Sequence, residues 1–158
     1  MLEHMAFKGT QTVGTKSYEQ EKPLLDKLDT LVQGLPEGKS PLKTSEYKAL
    51  EKELSDLWVD GEFSRIYEQN GAVGLNAATA KDFTFYTVSL PNNALELWAW
   101  MESDRLREPV FRQFYREREV VKEERRMRTD NNPEGLLYEA LLATAYWNNA
   151  YRLPTIGW

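Results

Sequence analysis

The strongest periodic signal in the chain is helical and lies between residues 17 and 60. Leu24, Leu25, Leu28, Leu31 and Val32 recur at the spacing that puts side chains on one face of an α-helix. Just ahead of them, Ser17-Tyr18-Glu19-Gln20 has the form of a capping box, with Gln20 three residues after the hydroxyl of Ser17. Breakers then crowd the stretch Gly34-Leu35-Pro36-Glu37-Gly38-Lys39-Ser40-Pro41, which predicts a loop. Thr44 or Ser45 opens a second helix with Tyr47, Leu50, Leu54, Leu57 and Trp58 on one side. Lys and Glu fill its other side, as suits a solvated surface with ion pairs one turn apart. Residues 17–60 are therefore expected to form a helical hairpin inserted between more compact parts.

Upstream of it, Met1 to Phe7 predicts a short helix, with Gly9 as its stop. Downstream, Ser64 to Gln69 predicts another short helix, closed by Asn70-Gly71. Val73 to Thr79 and Phe83 to Leu90 predict strands, joined as a hairpin through Ala80-Lys81-Asp82. In the second strand Phe83, Phe85, Thr87 and Ser89 alternate with Thr84, Tyr86, Val88 and Leu90, so both faces are expected to be partly buried. Asn92 or Asn93 then caps a helix carrying Leu95, Leu97, Trp98, Met101 and Leu106, which ends near Pro109. A long charged helix is expected from about Arg112 to Thr129, and another from Glu134 to Trp147. With no internal repeat and no low-complexity segment, helices around one pair of strands make the expected class α+β.

Composition narrows the picture. A hydrophobic fraction of 41%, with five Trp, eight Tyr and six Phe, suffices for a real core and argues against disorder. The net charge of −5 disfavours a dedicated nucleic-acid binder, which would be basic overall. The absence of cysteine excludes disulfides and thiolate metal sites but leaves the compartment open. No apolar run approaches the length of a membrane span.

Candidate chemistry begins at Glu3-His4, which holds the single histidine of the chain. A histidine beside a glutamate at a helix start suits a metal ligand and a general base. By itself the pair is more often a surface contact or a satisfied core pair, and a catalytic zinc takes three protein ligands. Glu117 and Glu124 stand two helical turns apart in Glu117-Arg118-Glu119-Val120-Val121-Lys122-Glu123-Glu124, so both carboxylates project from one helix face. Val120 and Val121 make that side partly apolar, which suggests a partnered or metal-bound carboxylate; the blander reading is a solvated face of Glu and Arg. The arginines from Arg105 to Arg128 are interleaved with glutamates and read as salt-bridged helix surface. Trp98 and Trp100 point in two directions and read as core plus interface.

Three separated runs, in order, resemble the pitrilysin/insulysin-type zinc peptidases, the bearers of the inverted motif H-x-x-E-H. Leu2-Glu3-His4-Met5-Ala6-Phe7-Lys8-Gly9-Thr10 resembles the run after the first histidine of that motif. Glu117-Arg118, with Val120 and Glu124, resembles the second signature of the family. Gly74-Leu75-Asn76-Ala77-Ala78-Thr79 and Asp82-Phe83-Thr84-Phe85-Tyr86 resemble its strand pair beside the catalytic cleft. Tyr151-Arg152-Leu153-Pro154-Thr155-Ile156-Gly157-Trp158 is similar to bacterial members.

The resemblance implies a partial metallohydrolase-type α/β sandwich: residues 1–158 as part of an N-terminal peptidase domain, interrupted by the hairpin at 17–60. It implies Zn2+ held by His4 and Glu124, with Glu3 as the general base toward zinc-bound water and Glu117 as an accessory carboxylate orienting His4 or the metal site. Asn76, Ala77 and Thr79 would lie on an edge strand that pairs with the backbone of a peptide substrate. The first zinc histidine would fall just ahead of Met1, and active members close a second homologous half around the substrate. The expectation is thus a fragment of a zinc endopeptidase, inactive as an isolated chain, from a bacterial parent that is periplasmic or otherwise extracytoplasmic. The alternative is a non-catalytic homologue acting as a peptide-binding or assembly subunit.

Overall fold

The computed structural model describes residues 1–36 and 39–157. Glu37 and Gly38, in the loop expected from the breakers, and Trp158, the last residue of the run resembling bacterial peptidases, lie outside the described residues. Helix α1 (Leu2–Met5) is a single turn, shorter than the sequence predicts, and the chain leaves it through Gly9 at φ +94°. A Cβ on Gly9 would stand 2.2 Å from the Val13 carbonyl oxygen, so only glycine permits this turn.

Helices α2 (Tyr18–Gln33) and α3 (Ser45–Leu57) pack on each other as the apolar spacing predicts. Leu28, Tyr47, Leu54 and Trp58 form a buried cluster, flanked by Leu24, Leu25, Leu31, Val32, Leu42, Leu50 and Tyr115. Thr44 caps α3 by accepting from the Tyr47 amide. The expected capping box at α2 does not form: Ser17 is the cap residue, but its hydroxyl makes no capping bond. The chain runs into and out of this pair side by side, with the Lys16 amide donating to Leu57 and the Val59 amide to Gly14.

Helix α4 (Glu62–Gln69) leads into an antiparallel pair, β1 (Val73–Thr79) and β2 (Thr84–Ser89), with Ala77 opposite Tyr86 and Thr79 opposite Thr84. An irregularity between Val73 and Asn76 coincides with Gly74 at φ +67°. Only one face of β2 is partly buried. Thr84, Tyr86 and Val88 point inward, whereas Phe85, Thr87 and Ser89 are exposed, which corrects the expectation of two part-buried faces. Val13, Phe63, Tyr67, Ala72 and Met101 form a second core cluster under this sheet, joined by Phe7, Leu75, Val88 and Leu97. The architecture is therefore mixed, helices around a two-stranded antiparallel sheet.

Helix α5 (Leu95–Arg107) follows a 3₁₀ turn at Asn92–Ala94, and neither asparagine side chain caps it. Of the apolar residues predicted to anchor α5, Met101 is buried, while Leu95, Trp98 and Leu106 are exposed; Trp100 is exposed as well, so neither tryptophan enters the core. The charged helix expected to reach Thr129 is α6 (Phe114–Arg125) followed by a π-helical turn, Arg126–Asp130, before α7 (Pro133–Ala145). Asn132 caps α7 by accepting from the Glu134 amide. Among the described residues, no helix is long and apolar enough to cross a membrane.

A buried ion pair ties these parts together. Arg112 and Glu21 are 2% and 0% exposed, and Arg112 reaches both Glu21 oxygens, from Nε and from Nη2, at 2.7 Å. Its remaining hydrogens go to main-chain oxygens: Nη1 donates to Lys8 and Val13, and Nη2 to Thr10. Trp58 Nε1 donates to the same carboxylate at 2.9 Å. All five guanidinium hydrogens are thus engaged, as a buried charge requires. Arg112→Leu is expected to lower stability by about 3–5 kcal/mol, because Glu21 is left charged and buried. The double variant Arg112→Leu/Glu21→Leu should recover part of that loss. Urea denaturation of the three proteins checks this, and a double variant less stable than Arg112→Leu would contradict it.

Candidate active site

Helix α1 lies against α6 and β1, so residues far apart in the chain meet on its single turn. His4 Nδ1 stands 3.1 Å from Glu117 Oε2, while Lys8 Nζ stands 2.6 Å from Glu117 Oε1. Burial pushes the Glu117 carboxyl up, but the hydrogen bonds from Lys8 and His4, with their charges, outweigh it and hold the group below the ordinary carboxylate range. An ionised carboxylate only accepts, so Nδ1 carries the proton and donates. In the neutral ring Nε2 then bears a lone pair, and it faces Glu124 Oε2 at 3.9 Å.

Glu124 is held from its other oxygen. Arg128, one turn on, stands 2.8 Å from Oε1, which leaves Oε2 directed at the histidine. Glu3 is held from β1, where the Thr79 hydroxyl donates to Glu3 Oε2 and lies 3.2 Å from the Thr84 hydroxyl. Glu3, His4, Thr79, Thr84, Val121 and Glu124 line one open cavity of about 600 Å³, with Ala77, Ala78, Thr155 and Ile156 also on its wall.

The donor set has the chemistry of a zinc site but is incomplete. Two acceptors, an imidazole nitrogen and a carboxylate oxygen, face each other, an arrangement stabilised by a cation between them, and both are ordinary zinc ligands. Among the described residues, no group of three or more His, Asp or Glu side chains stands ready to hold a metal.

Of the residues singled out from sequence, Glu3, His4, Ala77, Thr79 and Glu124 share the cavity, and Glu117 stands behind His4. Asn76 is exposed, pairs with Thr87 and is not on the cavity wall. Val121 lines the cavity, whereas Val120 is 49% exposed. The Lys8–Glu117 pair and the Thr79–Glu3 bond are not marked in the sequence, because no periodicity signals a contact across 70 to 110 positions. The arginine-rich stretch is salt-bridged as expected, with Arg116 to Glu51, Arg125 to Glu139, Arg126 to Glu123 and Arg128 to Glu124. Arg112 is the buried exception.

Residues 54–157 match the sequence model of the family described as Insulinase (Peptidase family M16). The chain belongs to the insulinase family of peptidases. The matched span holds both strands, Glu117 and Glu124, and lies outside Glu3 and His4. The "Zinc protease PqqE" of Helicobacter pylori (strain ATCC 700392 / 26695) is 42% identical to this insulinase-family chain over 102 residues, covering 61% of the chain. The chain spans 22% of that relative's length.

The lowered pKa of Glu117 carries a linkage consequence for this insulinase-family chain. A carboxyl depressed by folding contributes stability in full above its unfolded pKa, about 4.3, and loses it as pH falls through the lower folded value. The stability difference between the native chain and Glu117→Gln should be fully present at about pH 5 and shrink as the pH falls below that. A difference that widens as the pH falls below about 5, in thermal melts, would contradict the assignment.

Proposed function

We propose that the chain carries part of the catalytic machinery of a zinc-dependent endopeptidase acting on extended oligopeptides. The observation that supports this most is the convergence of Glu3, His4 and Glu124 on one cavity beside β1. His4, through Nε2, and Glu124, through Oε2, would be zinc ligands, and Glu117 would hold His4 in the required tautomer. Zinc held there would act as a Lewis acid and lower the pKa of a coordinated water.

The residues of the chain perform the rest. Glu3 accepts a proton from the attacking water and returns it to the departing amine as the peptide bond breaks. Thr79 fixes the Glu3 carboxylate by its hydroxyl bond. The exposed backbone of β1 around Asn76, Ala77 and Thr79 pairs with the substrate backbone, which selects extended and unfolded peptides over a strict sequence. The fold would be the strand-and-helix part of a larger α/β sandwich, with α2 and α3 as an insertion; their adjoining ends support this. A second homologous half would complete the enzyme, and a bacterial parent would work outside the cytoplasm.

With two zinc donors among the described residues where a catalytic site takes three, this chain alone is expected to bind zinc weakly and to leave peptides intact. In competition titrations with a chromophoric chelator, His4→Ala and Glu124→Ala should each weaken zinc binding further. Tight stoichiometric binding that survives His4→Ala would remove the ligand assignment. In a chimera joining this chain to the remaining length of the Helicobacter pylori relative, Glu3→Gln should lower cleavage of an unstructured peptide by about 10²–10⁴-fold. Its zinc content should stay unchanged; retained cleavage would exclude Glu3 as the base.

A further inference from the structure

Lys8 has no part in the roles proposed above, yet its ammonium sits where it fixes them. Its Nζ stands 2.6 Å from Glu117 Oε1 and 2.9 Å from Gln113 Oε1, and its side chain is 24% exposed. The other Glu117 oxygen meets His4 Nδ1, so the carboxylate is gripped at both ends and cannot rotate away from the imidazole without breaking the lysine contact. Lys8 itself is doubly held. Its carbonyl accepts from Arg112 Nη1, and its ammonium meets the next residue, Gln113.

Gln113 is unusual. It is the only described residue other than glycine with a positive φ, at +58°, a conformation that crowds the Cβ of a side-chain-bearing residue against its own carbonyl. From that conformation its carbonyl accepts from the Glu117 amide at 2.9 Å, which sets where Glu117 sits on the first turn of α6. Its amide nitrogen donates to Asp60 Oδ1 at 2.8 Å, which leaves Oε1 turned to Lys8. Strain kept at one position and matched by specific side-chain contacts points to a positional requirement.

We infer that Lys8, held by the strained Gln113, is a positioning residue that locks Glu117 onto His4 Nδ1 and so presents His4 Nε2 toward Glu124. The inference rests on Glu117 being the carboxylate that orients His4. Lys8 acts through charge and geometry: it keeps one carboxylate oxygen occupied so that the other is aimed at the ring, and it limits how strongly Glu117 pulls on the Nδ1 proton.

Because His4 is the only histidine in the chain, its two ring nitrogens are read without ambiguity in a ¹H–¹⁵N correlation spectrum of histidine-labelled protein. The full 158-residue chain is used metal-free at about pH 8.5, where a free imidazole is neutral. The native chain should show Nδ1 protonated and Nε2 bare. Lys8→Met should lose that majority and move toward the Nε2-protonated form that free imidazole prefers, and Lys8→Arg should restore it. Gln113→Gly relieves the backbone strain and removes only the side-chain contacts, so it should fold and still shift the tautomer part of the way.

Glu117→Ala separates the inference from the reading beneath it. If Glu117→Ala shifts the tautomer and Lys8→Met does not, Lys8 has no positioning role and Glu117 keeps its own. If neither variant shifts it, both assignments fall. An Lys8→Arg spectrum identical to that of Lys8→Met would also overturn the inference, since restoring the charge would then have done nothing.

Discussion

Everything in the candidate site hangs on the buried pair of Arg112 and Glu21. The side chain of Arg112 gathers the carbonyls of Lys8, Thr10 and Val13 onto the start of α6, while Glu21 brings α2 and Trp58 to the same point. The two hydrophobic clusters, one under the sheet and one between α2 and α3, are separate packings that this pair joins. A desolvated ion pair is costly unless every donor and acceptor is matched, and here each guanidinium hydrogen has an acceptor. Such a match tolerates little displacement, so it fixes the loop of residues 8–13 in one place.

That loop matters because α1 cannot hold itself. A single helical turn is unstable in isolation, and α1 has no capping side chain. Its position comes from outside: Met5 is buried, Phe7 packs edge-on against Phe63 and Tyr86, and Gly9 turns the chain back toward Arg112. Glu3 and His4 inherit their placement from this scaffold. Glu3 then meets Thr79 across the sheet side and His4 meets Glu117 across the helix side. The π-helical turn that follows α6 begins two residues after Glu124, and Gly135 lets α7 approach it so closely that a Cβ there would stand 2.2 Å from the Arg128 carbonyl oxygen. A widened helical turn beside a candidate site residue is a recurrent association.

The sequence made the local elements legible and some of the site. Helical spacing located α2, α3 and α5, and the alternation of aromatic and β-branched residues located β2 to within a residue. It misjudged burial where the helix and strand faces look alike in composition. Phe85, Trp98 and Trp100 are exposed although their residue types suit a core. Glu21 offered a legible warning: it lies one heptad before Leu28 on the apolar stripe of α2, where an unpaired charge would not be tolerated. Its partner was not legible, because Arg112 stands 91 positions away among arginines that are salt-bridged at the surface.

By itself, then, the chain determined which residues are chemically able to act: a lone histidine beside a glutamate, two carboxylates two turns apart on a helix, and an antiparallel strand pair, in an order that resembles one peptidase family. Periodicity and motif order are local properties, and local propensity is enough to specify them. The tertiary structure alone decided that Glu117 stands behind His4 and Glu124 in front of it, that Thr79 grips Glu3, and that Lys8 completes the hold on Glu117. Those contacts join residues 76 to 120 positions apart, and their geometry is set by long-range burial around Arg112 and Glu21 that no local pattern encodes.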